Sequence, residues 1–148
     1  NLHHLFGGKE GLLLEVLKQL LMEIRQISRQ HATANDDPLV GLDLYVCAQF
    51  NPQIYTNENC ILWLNFWNEA ATQPAFARLE TINRRRMQSN LRFYLMQVID
   101  ADTATVVASD IQSMIDGLWI RKAHLKGGQS AEAASDTIRR FILAQTLR

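Results

Sequence analysis

No stretch of this chain alternates apolar and polar residues for the length of a β-strand, which leaves an all-α fold as the expectation. Proline is scarce: the 148 residues hold three, each placed where a helix is expected to start or stop. The two cysteines, Cys47 and Cys60, sit in separate apolar stretches without CxxC spacing, so buried reduced thiols are expected and neither a disulfide nor a metal site. No apolar run reaches the roughly 18 residues that span a bilayer, and no signal peptide is visible. No membrane partner is expected, and cytoplasm is the default location. The 15 basic and 15 acidic residues cancel, so any attraction to nucleic acid must come from a local patch or from residues outside the chain. The missing initiator Met fits a missing start. Catalytic signatures are lacking as well: there is no GxSxG elbow, no HExxH and no glycine-rich nucleotide loop, and His31 and His124 stand alone. No enzyme activity, cofactor or metal is expected; a small helical enzyme pairing Glu69 with a histidine is the weaker alternative.

What is present is helical periodicity from end to end, in a length that suits one domain. From Lys9 to about His31, Leu13, Val16, Leu17, Leu20, Ile24 and Ile27 form one apolar stripe. Asp37-Pro38 supplies an N-cap and a first-turn proline for a helix over about 38 to 50, which carries Leu39, Leu42, Val46 and Phe50 inward until Asn51-Pro52 stops it. From Asn59 to Thr72 the chain is apolar around most of its circumference, the mark of an interior helix. Pro74 opens a helix to about Val98, with Leu79, Met87, Leu91, Tyr94 and Val98 inward and Arg84, Arg85 and Arg86 as a basic cluster. Asp102 or Thr103 caps the next, which runs to Leu125 before Gly127-Gly128 ends it. Ser130 caps the last, which bears Ala134, Ile138, Phe141 and Ile142 on a stripe.

Two of these helices carry functional expectations. Over 103 to 125, Val107, Ile111, Met114 and Leu118 form one stripe, while Ala108, Ile115, Trp119 and Ala123 widen the apolar arc to about half the circumference. An arc that wide offers two packing surfaces, one for the chain's own core and one for a second copy across a two-fold axis. Ile138, Phe141 and Ile142 of the last helix join that expected interface; the competing reading is the central helix of a monomer. Gly117, inside the helix, suggests close approach of a ligand or neighbouring helix. Trp63, Phe66 and Trp67 cluster on the third helix, and Trp119 comes from beyond Asp116-Gly117. Aromatic faces attract a quaternary ammonium by about 0.5 to 2 kcal/mol per good contact, and Glu69 or Asp116 would balance the charge. With Tyr94 these residues form the candidate effector site; the alternative is that the aromatics only fill the core.

The start of the chain reads as a junction. Gly7 and Gly8 suit a helix end, and Lys9 then opens a helix against the macrodipole, a cost of a few tenths of a kcal/mol that a DNA phosphate would offset. His3 and His4 are further phosphate-contact candidates. The run Leu2-x-His4-x-Phe6-Gly7-x-Lys9-Glu10-Gly11-Leu12-Leu13 resembles the end of the helix-turn-helix in TetR-family transcription regulators. Further on, Leu62-Trp63-Leu64-x-Phe66-Trp67 with Gln73-Pro74, then Arg78-Leu79 through Arg85-Arg86 to Ser89-Asn90-Leu91, and Ile115-Asp116-Gly117-Leu118-Trp119-Ile120-Arg121 resemble the effector domain of the choline-responsive repressors of glycine-betaine synthesis. The resemblance implies a TetR-like effector and dimerisation domain of about six helices over 9–148, a helix-turn-helix remnant over 1–8, and most of the DNA-binding unit missing. It further implies a homodimer through the last two helices, operator DNA as partner of the missing unit, and choline or a related quaternary ammonium as effector. His3 departs from the pattern, standing where many relatives carry a phosphate-contacting tyrosine. A TetR-like regulator of an unrelated pathway with an apolar or aromatic effector is the alternative, and a plain helical dimerisation module is a weaker one.

Overall fold

The computed structural model describes residues 8–31, 37–124 and 127–147, and these form six helices with no strand among the described residues. In chain order they are α1 (Gly8–His31), α2 (Pro38–Ala48), α3 (Asn57–Ala70), α4 (Pro74–Leu95), α5 (Ala101–Lys122) and α6 (Ala131–Thr146). Each start has a local cause. Gly8 adopts φ +89°, a left-handed conformation open to glycine, at the entry to α1. Asp37 accepts from the Leu39 N–H at 2.9 Å with Pro38 in the first turn, and Ser130 accepts from the Ala133 N–H at 3.1 Å, both as the sequence suggests. The cap of α5 is Asp100 rather than Asp102 or Thr103: its carboxylate takes the Thr103 N–H at 2.9 Å and the Thr103 hydroxyl at 2.6 Å. That capture starts α5 early and ends α4 at Leu95, so Val98 lies exposed in the connecting turn instead of facing inward.

The core gathers on α5, which packs against α3, α4 and α6, while α2 is held between α1, α4 and α6. Leu17, Leu42, Val46, Phe50, Phe66, Leu91, Leu95, Ile111 and Ile138 are buried. On α1 the buried stripe takes Leu17, Leu20 and Leu21; Val16, one residue or about 100° away from Leu17, falls on the exposed flank. The third helix is not interior all round. Cys60, Trp63 and Phe66 are buried, but Ile61 and Leu64 are exposed because its neighbours α1, α4 and α5 cover one side only. Two polar links fix the register between helices: Gln88 donates to the buried Gln112 at 2.6 Å, and Arg139 of α6 grips Asp43 of α2 at 2.6 Å through Nε. Tyr94 lies over Gly41, where a Cβ would collide with its ring, so α2 and α4 meet almost backbone to ring.

The apolar arc of α5 is used up within the protomer. Val107, Ile111 and Leu118 are buried alongside Ala108, Ile115 and Trp119, and Ile138 and Ile142 of α6 face the same core. Both halves of the arc have partners because α5 has neighbours on two sides, so these five residues, Val107, Ile111, Leu118, Ile138 and Ile142, are not free to meet a second copy. Met114 and Phe141 are half-buried against the same core.

Candidate functional site

One cleft has the lining of a small-molecule site. Its cavity of about 70 Å³ is small and opens to solvent, and a few polar groups converge on it. Five helices build it: Leu21, Ile24, Arg25 and Ser28 from α1, Tyr45 from α2 with Gln49 just past its end, Trp63 from α3, Asn83, Arg86, Met87 and Asn90 from α4, and Ile115, Asp116 and Trp119 from α5. The α4 residues recur at the three- and four-residue spacing that puts side chains in one helical row, as do those of α1.

The aromatic wall is held rigidly. Trp63 and Trp119 meet at a centroid distance of 5.9 Å with their planes 65° apart. The Trp119 indole N–H donates to the Gln49 carbonyl at 3.1 Å, which satisfies its only donor and leaves the ring as an apolar surface. Tyr45 closes the wall; burial pushes its phenol pKa up, and its hydroxyl accepts from Asn90 at 3.4 Å. Opposite in character is Asp116, whose carboxyl burial pushes up to about 7, with Glu80 acting in the same direction and Arg84 against it. Arg84 is tied to Glu80 at 2.8 Å. Among the described residues neither Arg25 nor Arg86 is in an ion pair, and the buried Nε of Arg25 has no hydrogen-bond partner.

Of the candidate effector residues, Trp63, Asp116 and Trp119 line this cleft. Phe66 is fully buried behind it, against Trp63 at 4.9 Å and Phe76 at 6.2 Å. Trp67 and Glu69 do not line it, because each helical turn advances about 5.4 Å and carries them past the cleft. Tyr94, a turn beyond Asn90, packs on Gly41 and Phe93 instead. Arg25, Tyr45, Asn83, Arg86 and Asn90 were missed by sequence reasoning; the signal was a polar row at helical spacing on α4, which a search for aromatics and acids passes over. Gly117 is exposed, and a Cβ there would meet nothing within 4 Å, so no group of the protomer approaches it. Lys9 stands exposed in the first turn of α1, whereas His3 and His4 lie outside the described residues. Among the described residues no cluster of His, Cys, Asp or Glu has the makings of a metal site, and no helix is long and apolar enough to cross a membrane.

A shell of helices around a mostly apolar cleft, with a few convergent polar groups, defines an all-α domain. Residues 38–147 match the family described as the C-terminal domain of BetI-type transcriptional repressors, and the chain belongs to that family, a branch of the TetR-type regulators. It is 36% identical over 127 residues to the HTH-type transcriptional regulator BetI of Stenotrophomonas maltophilia, covering 85% of this chain and 64% of that protein. To the regulator BetI 2 of Chromohalobacter salexigens it is 32% identical over 133 residues, covering 88% and 64%. The chain thus spans a little under two thirds of the length of these relatives. In fold it follows a transcriptional regulator from Pseudomonas aeruginosa PAO1, with a TM-score of 0.77 at 17% identity over 99% of this chain and 73% of that one.

Proposed function

We propose that this chain is the effector-sensing and dimerising part of a DNA-binding transcriptional repressor, with residues 9–148 as the sensing domain and 1–8 as the end of the DNA-reading unit. One observation carries the reading: α1, the helix that enters from the junction at Gly8, itself forms a wall of the cleft through Leu21, Ile24, Arg25 and Ser28. A ligand there touches both the sensing helices and the helix that would carry the reader. Its binding free energy therefore biases the setting of α1.

The effector is a small organic cation of the choline type. Its trimethylammonium head would rest on the faces of Tyr45, Trp63 and Trp119, with Asp116 supplying the opposite charge. Lys9, with His3 and His4, would contact operator phosphates, and a second copy would complete the dimer. Operator and effector then oppose one another by the same factor in either order, about 1 to 3 kcal/mol for an ordinary coupling. Calorimetry with choline and with its neutral carbon isostere, in which tert-butyl replaces trimethylammonium, tests the ligand. Choline should bind more tightly and should release operator DNA from a protein carrying both units; equal affinity for the isostere would remove the cation from the reading.

A further inference from the structure

Among the described residues Asp116 is the one acid in the lining of the cleft, which it shares with two guanidinium groups, Arg25 of α1 and Arg86 of α4. The other walls are uncharged. Tyr45 and Gln49 come from α2 and its end, and α3 turns Trp63 to the cleft rather than Glu58 or Glu69. Attraction of a cation then rests on one carboxyl, and the groups around that carboxyl decide its charge.

Those groups lie along the seam between α4 and α5. A short turn over 96–100 folds the two helices back on each other, and Gln88 sets their register by donating to the Ala108 carbonyl at 3.2 Å and to Gln112 at 2.6 Å. One helical turn back from Gln88 and one on from Gln112, the same register brings Arg84, and a turn further Glu80, beside Asp116. Neither lines the cleft. They form an ion pair of their own, in which Arg84 donates to both Glu80 oxygens at 2.9 and 2.8 Å. Glu80 is the more covered member, and after burial itself it has the larger effect on the Asp116 carboxyl, opposed by Arg84. On α6, the remaining neighbour of α5, Arg139 is engaged by Asp43 and Asp136.

Resting on the reading of this cleft as a site for a cationic effector, we propose that the Glu80–Arg84 ion pair governs how strongly Asp116 attracts that effector, which makes Glu80 and Arg84 positioning residues of the site. Burial and Glu80 keep the carboxyl partly protonated in the empty cleft, so no unpaired charge need be held there. A cation arriving beside it favours the ionised form. The carboxyl O–H then breaks, its proton passes to solvent, and the positive charge of the ligand takes its place. Acid conditions therefore desensitise the regulator to its effector.

Calorimetry from pH 6 to pH 8 with choline and its neutral tert-butyl isostere tests the coupling. Choline affinity of the wild type should rise about tenfold over that range, and binding at pH 7 should release about half a proton, counted from heats in two buffers of different ionisation enthalpy. The isostere should show neither effect. Glu80→Gln leaves Arg84 as the charged neighbour of Asp116 on the seam, so the carboxyl ionises at lower pH and is already paired. Choline should then bind about fivefold more weakly at pH 8, its pH dependence should flatten to within about threefold, and the proton release should shrink. Arg84→Gln does the opposite, tightening choline about threefold at pH 6. A Glu80→Gln protein with the wild-type pH profile, or one that weakens choline and the isostere alike, overturns the coupling and leaves the cationic reading standing. An Arg84→Gln protein that binds choline no more tightly at pH 6 does the same, and serves if the first variant fails to fold. Equal affinity of the wild type for choline and isostere at pH 8 overturns the cationic reading and the coupling together.

Discussion

Asp116 is the residue whose chemistry depends most on where the fold puts it. Its carboxyl ionises near 3.8 in an unfolded chain but only near 7 here, chiefly because burial disfavours the charge. With the folded value raised, the group's favourable contribution to stability is fully present below about 3.8 and is lost as pH rises through about 7, where the folded state must hold a buried carboxylate. Asp116→Asn, nearly the same shape, should therefore raise the melting temperature at pH 8 and change it little at pH 4. Parallel melting curves for the two proteins across that range would show that Asp116 does not titrate as described. The same carboxyl should bind a cationic head more strongly as pH rises from 6 to 8, since more of it is then charged. The aromatic pair was visible in the sequence because tryptophan is rare and four-residue spacing is easy to see. Which of the aromatics face the ligand was not, since Trp63 and Trp67 differ only by their position along the axis.

At the scale of the element, helix identity was the most legible feature and helix facing the least. The capped starts at Asp37 and Ser130 and the glycine conformations at Gly8 and Gly128 follow local rules of a few residues, which a sequence displays. The facing of α5 depends on how many neighbours surround it. A wide apolar arc means the same thing to a periodicity count whether the second half meets another chain or the chain's own α3, α4 and α6, and here it meets its own. Gly117 tests what covers the remaining outer side. With no protomer atom within 4 Å of an added Cβ, Gly117→Ala should stabilise the isolated fold by about 0.4 to 1 kcal/mol through the smaller entropy of the unfolded chain. Denaturant melts at concentrations low enough to keep the protein monomeric measure this directly. A destabilised variant would mean that the backbone at 117 is not the regular helix described.

For the whole molecule, the remaining question is where a second copy would sit once the buried stripes are ruled out. The α5 and α6 pair still presents Val106, Leu143 and Leu147 to the outside, at 60%, 50% and 78% exposure. Helices of 22 and 16 residues are about 33 and about 24 Å long and about 10 Å wide, so side by side they offer roughly 570 Å², somewhat short of the ~800 Å² per partner of a standard interface. Such a dimer places the partner and the ligand on opposite sides of one helix, because Asp116 and Trp119 line the cleft while Ser113 and Gly117 point away from the core. Any shift of α5 on ligand binding then alters both. Leu143→Glu should weaken self-association in sedimentation equilibrium, by putting a charge into an apolar contact, while leaving the melting temperature of the protomer nearly unchanged because the side chain is half exposed. Ligand affinity of the monomeric variant should differ from that of a wild-type dimer by the square root of the factor by which saturating ligand changes dimer dissociation, since a dimer carries two sites. A variant that stays dimeric would move the interface off this pair of helices, and a monomeric variant with unaltered ligand affinity would disconnect the two sides of α5.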